Sequence, residues 1–144
     1  MDYVALKAEI ETGPLASELA PHIANGNDQA IADALNRVDA ARLIDRTIVP
    51  AHEIIDATVV ADWTGLSAAE RLRYQTITGA GEVNLKNPNV RASFQQMFGA
   101  GSGTRTALLA LQKRSGSRAE EIADTLKTNG AITPTDVSIA LRKT

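Results

Sequence analysis

Few side chains in this sequence have the type and spacing that chemistry needs. The two histidines, His22 and His52, stand alone, in neither a His-x-x-x-His nor a Glu-x-x-His pattern. Those spacings put two ligands on one helical face, so no metal site is expected. The absence of cysteine excludes disulfides and thiolate ligands. A serine nucleophile needs a positioned base and a sharp turn after a strand, and the nearest match, Gly101-Ser102-Gly103, joins two predicted helices. The surrounding stretch Gly99-Ala100-Gly101-Ser102-Gly103-Thr104-Arg105-Thr106 resembles a phosphate loop only superficially. Thr104 stands where the second Walker glycine would be, and no Lys-Ser or Lys-Thr pair follows. Three glycines more simply let the chain reverse between packed helices. Glu120 and Glu121 are adjacent and so point about 100° apart on a helix. Glu9 and Glu11 diverge likewise, and both pairs read as solvated faces. The expectation is a protein that is not an enzyme, with no catalytic residue, no cofactor and no metal.

Binding of nucleic acid is the other chemistry to weigh. Ser117 to Lys143 reads as helix, short turn and helix with basic residues nearby, as in helix-turn-helix readers. Its second helix offers Asp136, Ser138, Arg142 and Lys143, and an acid sits where the N-terminal end would meet bases. Specific readers carry a clearer basic footprint. A DNA-binding regulator or packaging accessory using this segment is therefore the alternative reading.

The elements that would position these groups are mostly helical. Asp2 caps a first helix to about Thr12, with Tyr3, Leu6 and Ile10 on one face, and Gly13-Pro14 stops it. Leu15 to Ala20 makes a short turn closed by Pro21. Asn27 caps a helix carrying Ile31, Leu35 and Val38. Arg42 to Val49 is β-branched and reads as an extended connection, because an isolated strand has no partner. Pro50 opens a helix that carries Ile54 and Ile55 and continues towards Trp63. Ser67-Ala68-Ala69-Glu70 is a capping box before a helix with Leu72 and Ile77 as its apolar face. Glu82 to Asn87 reads as loop. Asn87-Pro88 starts a helix with Val90, Phe94 and Met97 inward, ended by Gly99. Thr104 to Arg114 is the next. Ser117-Arg118-Ala119-Glu120 is a second capping box, followed by Ile122 and Leu126. Thr133-Pro134 begins the last helix, with Val137 and Leu141 inward.

These add up to an all-α fold, a compact bundle of about six to seven short helices with one extended connection, in a single helical domain over residues 1–144. The composition agrees: 44% hydrophobic but only 3% aromatic, so Ala, Leu, Ile and Val must fill the core. No apolar run is long enough to span a bilayer, and the acidic start lacks the pattern of a secretory signal. A soluble protein without membrane contact is expected. The net charge of −2 hides a split. Residues 1–62 hold 11 acidic against 4 basic residues, and residues 63–144 hold 6 against 11. Such halves either meet other copies head to tail or neutralise each other within one fold.

The segments Met97-Phe98-Gly99-Ala100-Gly101-Ser102-Gly103-Thr104, Ala107-Leu108-Leu109-Ala110-Leu111 and Ser117-Arg118-Ala119-Glu120-Glu121 form a pattern with the start of the chain. That start contributes Ala5-Leu6-Lys7-Ala8-Glu9-Ile10, Gly13-Pro14-Leu15 and Ala32-Asp33-Ala34-Leu35-Asn36. The close, Ile132 to Arg142, belongs with them, whereas Arg42 to Leu66 departs from the pattern. Together they resemble a family of small helical virion-assembly proteins of long-tailed phages, similar in size and helix content to head–tail connector adaptors. The resemblance implies a structural virion protein, assembled in the host cytoplasm. It would form a homo-oligomeric ring between the portal and the next neck or tail protein, with only non-specific proximity to DNA. The last helix would be a docking arm, with Thr133, Asp136, Arg142 and Lys143 as the candidate inter-subunit or portal contacts.

Overall fold

In the computed structural model, which describes residues 1–143, the all-α expectation is overturned. The chain is mixed α/β, 62% helical and 13% strand, with eleven helices and two small antiparallel sheets among the described residues. The strands come from segments read as linker, loop or helix end. β1 (Val38–Asp45) pairs with β4 (Lys113–Ser117), and β2 (Ile48–Pro50) pairs with β3 (Glu82–Asn84) in the register Val49 to Val83. The extended reading of Arg42 to Val49 lacked a partner because both partners lie far along the chain. Strand pairing is satisfied by whatever backbone is brought alongside, and local periodicity carries no trace of it.

The chain divides into two compact units, residues 1–44 with 115–144, and residues 45–114. The first unit is made from both ends of the sequence. It holds α1 (Tyr3–Thr12), α2 (Ala16–Ala24), α3 (Asp28–Asn36), α9 (Arg118–Glu121), α10 (Ala123–Leu126) and α11 (Pro134–Lys143). Asp2 and Asn27 cap α1 and α3 by accepting from the amides of Ala5 and Ala30. The buried core cluster is aliphatic throughout, with Leu6, Ile10, Ile31, Leu35, Leu126 and Val137 at its centre. Burying side chains of this size contributes about 1.5–3 kcal/mol each. The Asn36 side chain clamps the segment before α11, donating to the Ile132 carbonyl (2.6 Å) and accepting from the Ile132 amide (3.0 Å). Gly116 is required by a close approach: a Cβ there would come within 2.6–2.9 Å of three Ile44 side-chain carbons.

The second unit holds α4 (Ala51–Ala57), α5 (Val60–Thr64), α6 (Ala68–Thr78), α7 (Pro88–Met97) and α8 (Gly103–Leu111) beside the β2–β3 pair. Its core is aromatic at the centre. Tyr74 lies edge-on to Trp63, Phe94 and Phe98 at centroid distances of 5.1, 6.3 and 6.2 Å. The helix expected to run from Pro50 to Trp63 breaks at Thr58. The Thr58 hydroxyl bonds to the Ile54 carbonyl and shares a 2.7 Å hydrogen bond with the Tyr74 hydroxyl, and the Val59 amide donates to Thr104 Oγ1 instead of to a helical carbonyl. Burial of the Tyr74 ring raises its hydroxyl pKa, with the Thr58 bond opposing. On α6 the inward residue is Tyr74, and Leu72, expected to face inward, is 65% exposed. The two are about 200° apart on the helix, so they cannot share a face. Among the described residues no helix is long and apolar enough to cross a membrane.

Candidate docking site

The residues proposed as contacts at the end of the chain are mostly engaged within the first unit. The Thr133 amide and hydroxyl donate to Asp136 Oδ2 at 2.9 and 2.6 Å, and the Asp136 amide donates back to Thr133 Oγ1. These bonds form a reciprocal cap at the start of α11. Tyr3 also donates to Asp136. Burial raises the Asp136 pKa, yet the donors from Thr133 and Tyr3 outweigh it and hold the carboxyl below its ordinary value. The Arg142 guanidinium binds Asp28 with two bonds of 2.7 and 2.9 Å and also donates to Ser138. Lys143 is exposed. Val137 and Ala140 of α11 are fully buried against the first unit's core. A truncation after Gly130 therefore removes part of that core together with any contact surface.

Part of the charge split seen in the sequence is paired off inside this unit. Arg118 grips Glu9 through Nε and Nη2 at 2.7 and 2.9 Å and reaches Glu121 through Nη1 at 2.8 Å. Arg42 approaches Glu121 at 3.0 Å, and Lys127 approaches Asp2 at 3.9 Å. Glu9 and Glu121, read as solvated faces, thus belong to one network with Arg118. The Arg118 side chain is 16% exposed and that of Glu9 12%, so water competes little for this pair. Its two bonds to Glu9, followed by the one to Glu121, raise the guanidinium pKa, and Arg118 holds the Glu121 carboxyl below its ordinary value. Glu120 completes the Ser117 capping box.

The helix-turn-helix outline over Ser117 to Lys143 meets two short helical turns, α9 and α10, where one helix was expected. Lys127 closes α10 in the left-handed conformation, at φ 53°. His52 is exposed in the first turn of α4, and His22 ends α2 beside Glu18. Among the described residues no group of three or more His, Asp or Glu side chains could hold a metal ion.

The glycine-rich stretch before α8 has a definite occupant. Ser102 caps the helix by accepting from the Arg105 amide, and the Thr104 amide donates to Asp62 Oδ2 at 3.0 Å. The fully buried Thr104 hydroxyl joins the Val59 amide to the same carboxylate. These two bonds from Thr104 lower the Asp62 pKa against its burial. A helix N-terminus attracts anions through its free amides and dipole. Here the protein's own carboxylate takes that place.

What remains open is a groove of about 680 Å³ on the second unit, between the outer face of α6 and α7. Leu72 and Ile77 line it from α6, and Val90 and Met97 from α7. Its polar lining includes Arg73, whose Nε donates to Ser93 Oγ at 2.7 Å, while Ser93 donates to the Asn89 carbonyl. Sequence reasoning placed Leu72 in the core and so missed this site. The available signal was Tyr74, two residues on: only one of the two could face inward, and the ring has the larger area to bury.

The units also differ in unspent charge. The first has 11 acidic against 7 basic residues, a net of −4, and the second 6 against 8, a net of +2. Arg71, Arg73, Lys86, Arg91 and Arg105, all in the second unit, form no ion pair among the described residues. Arg71 lies instead over the Trp63 ring, 5.7 Å from its centroid, and Arg91 donates to the Leu85 carbonyl. No protein-family model, curated protein or solved structure matches the chain.

Proposed function

We propose that this chain is a structural subunit of a tailed-phage particle, a head–tail connector adaptor that assembles as a ring between the portal and the next neck protein. The specific identity rests on the resemblance carried by Met97 to Thr104, Ser117 to Glu121 and the N-terminal segments. The structural observation that supports docking is the α6–α7 groove, an apolar-lined trough with Leu72 65% exposed on its wall. An exposed apolar side chain beside other apolar side chains in a concave site is how a protein presents a surface to a partner. The first unit's ion pairs are satisfied within the chain, so the C-terminal charges contribute less to any ring contact than the sequence suggests. The partners are further copies of the chain, the portal and a neck or tail protein, and the place of action is the virion, assembled in the host cytoplasm.

The experiment is a particle-assembly assay with the gene removed from the virus that encodes it. The expected result is DNA-filled heads and finished tails that fail to join, restored by supplying the intact chain. Infectious, normally joined particles made without the chain would overturn the proposal.

A further inference from the structure

The groove needs an occupant, and the chain itself offers one. We infer that the α6–α7 groove receives the outer face of α1 from a second copy of this chain, a head-to-tail contact. The inference rests on the assembly reading above and deepens it by naming the two surfaces. Three observations carry it.

The first is the apolar knob. Val4 is 70% exposed, the most exposed large apolar side chain of the first unit. It stands on α1 with Ala8 and Glu11, both exposed, at spacings of four and three that place all three on one helical face. The second is length. The groove wall on α6 runs from Ala69 to Ile77, about 12 Å at the helical rise, and Val4 to Glu11 covers about 10 Å by the same measure. One helix can lie along the other. The third is charge. The donor unit is at −4 and the receiving unit at +2. Glu11, which ends the exposed face of α1, forms no ion pair among the described residues. Of the two charged residues on the groove wall, Glu70 accepts from the Ser67 amide in its capping box, while Arg73 spends one donor on neutral Ser93 and pairs with no carboxylate among the described residues. Seating Val4 against Leu72 and Met97 brings Glu11 and Arg73 into one interface, where opposite potentials set orientation.

The two surfaces are unlike, so each copy uses one and offers the other. Such contacts close into rings or extend as filaments. This gives a test that a symmetric contact cannot pass. Val4→Arg destroys the knob and leaves the groove, whereas Leu72→Arg destroys the groove wall and leaves the knob. Both sites are exposed, and circular dichroism with the milder Val4→Ser and Leu72→Ser variants checks that folding is kept.

Sedimentation over a range of concentrations should show oligomers for the intact chain. Each arginine variant alone should associate at least about a hundredfold more weakly, the scale expected for a buried interface anchor. An equimolar mixture of the two variants should regain association but stop at a one-to-one dimer, because the dimer has one ruined knob and one ruined groove left. Oligomers that ignore both variants would overturn these surfaces and leave the assembly reading standing, with another protein's helix as the groove's occupant. An intact chain that stays monomeric at every concentration would overturn self-recognition, while the gene-removal assay still decides the virion role.

Discussion

The two units of this chain solve the same problem with different materials. The first buries an aliphatic core, with Tyr3 packed at its margin, and ties the ends of the sequence together with Arg118–Glu9, Arg142–Asp28 and Lys127–Asp2. The second packs three rings around Tyr74 and, among the described residues, leaves five of its cations without carboxylates. Aromatic side chains each bury a large area, so few are needed to fill a small core. Aliphatic ones bury less, and the first unit adds charge-assisted bonds between elements that are remote in sequence. A unit whose arginines are all paired, as Arg37, Arg42, Arg118 and Arg142 are, holds itself together. A unit whose cations are unspent has charge to offer a partner.

That contrast can be broken most forcefully at Phe98. Phe98→Ala empties the ring cluster and should cost about 4 kcal/mol. Trp63 is the chain's one tryptophan and sits in that cluster, so its fluorescence reports the second unit alone. The expected outcome is a large fall in the urea midpoint of Trp63 fluorescence. In Leu35→Ala, by contrast, the far-ultraviolet circular dichroism midpoint falls while the Trp63 midpoint holds. Coincident shifts in both variants would mean that the units unfold as one.

The Arg118 network comes next. Arg118→Met strands Glu9, whose side chain is only 12% exposed, and should cost the first unit about 2–3 kcal/mol. It also has a signature in pH. Glu121 titrates below its ordinary 4.5 when folded because Arg118 holds it ionised. The folded state then binds fewer protons than the unfolded one, so this stabilisation is present above about pH 4.5 and is lost as pH falls through the folded value. Thermal melts of Arg118→Met should show a flatter acid limb than the intact chain. An unchanged limb would remove Arg118 as its cause.

Gly116→Ala should cost about 1–3 kcal/mol by pressing a Cβ against Ile44. Adding Ile44→Ala should recover part of that loss, because the obstructing atoms are gone. The smallest effect belongs to Arg142→Ala. The Arg142 side chain is 47% exposed, so losing the pair with Asp28 should lower the thermal midpoint only slightly, and less still in high salt. A large fall in that midpoint would show that the first unit depends on this closure far more than on its aliphatic core.

Reading the sequence located most helix starts, because caps are local chemistry. Asp2, Asn27, Ser67, Asn87 and Ser117 all accept the backbone amides their types suggest. Reading failed where the answer depended on a distant segment. Glu82–Asn84 is a strand because Ile48–Pro50 lies beside it, and Lys113–Ser117 is a strand because Val38–Asp45 does. The groove was hidden for a different reason: Leu72 and Tyr74 compete for one inward face, and the larger ring of Tyr74 takes it and leaves Leu72 outside.

What the amino-acid sequence determined by itself is the set of short-range commitments: helix caps, glycine stops, and the shortage of aromatic side chains. Each depends on atoms within a few residues, where the chain's own geometry fixes the neighbours. What only the tertiary structure decided is which distant groups meet. It brought Glu9 to Arg118, Asp62 to the amide of Thr104 and strand to strand, and it left the α6–α7 groove open. Ion pairs, strand ladders and grooves need two surfaces, and the second surface in each case comes from another part of the chain.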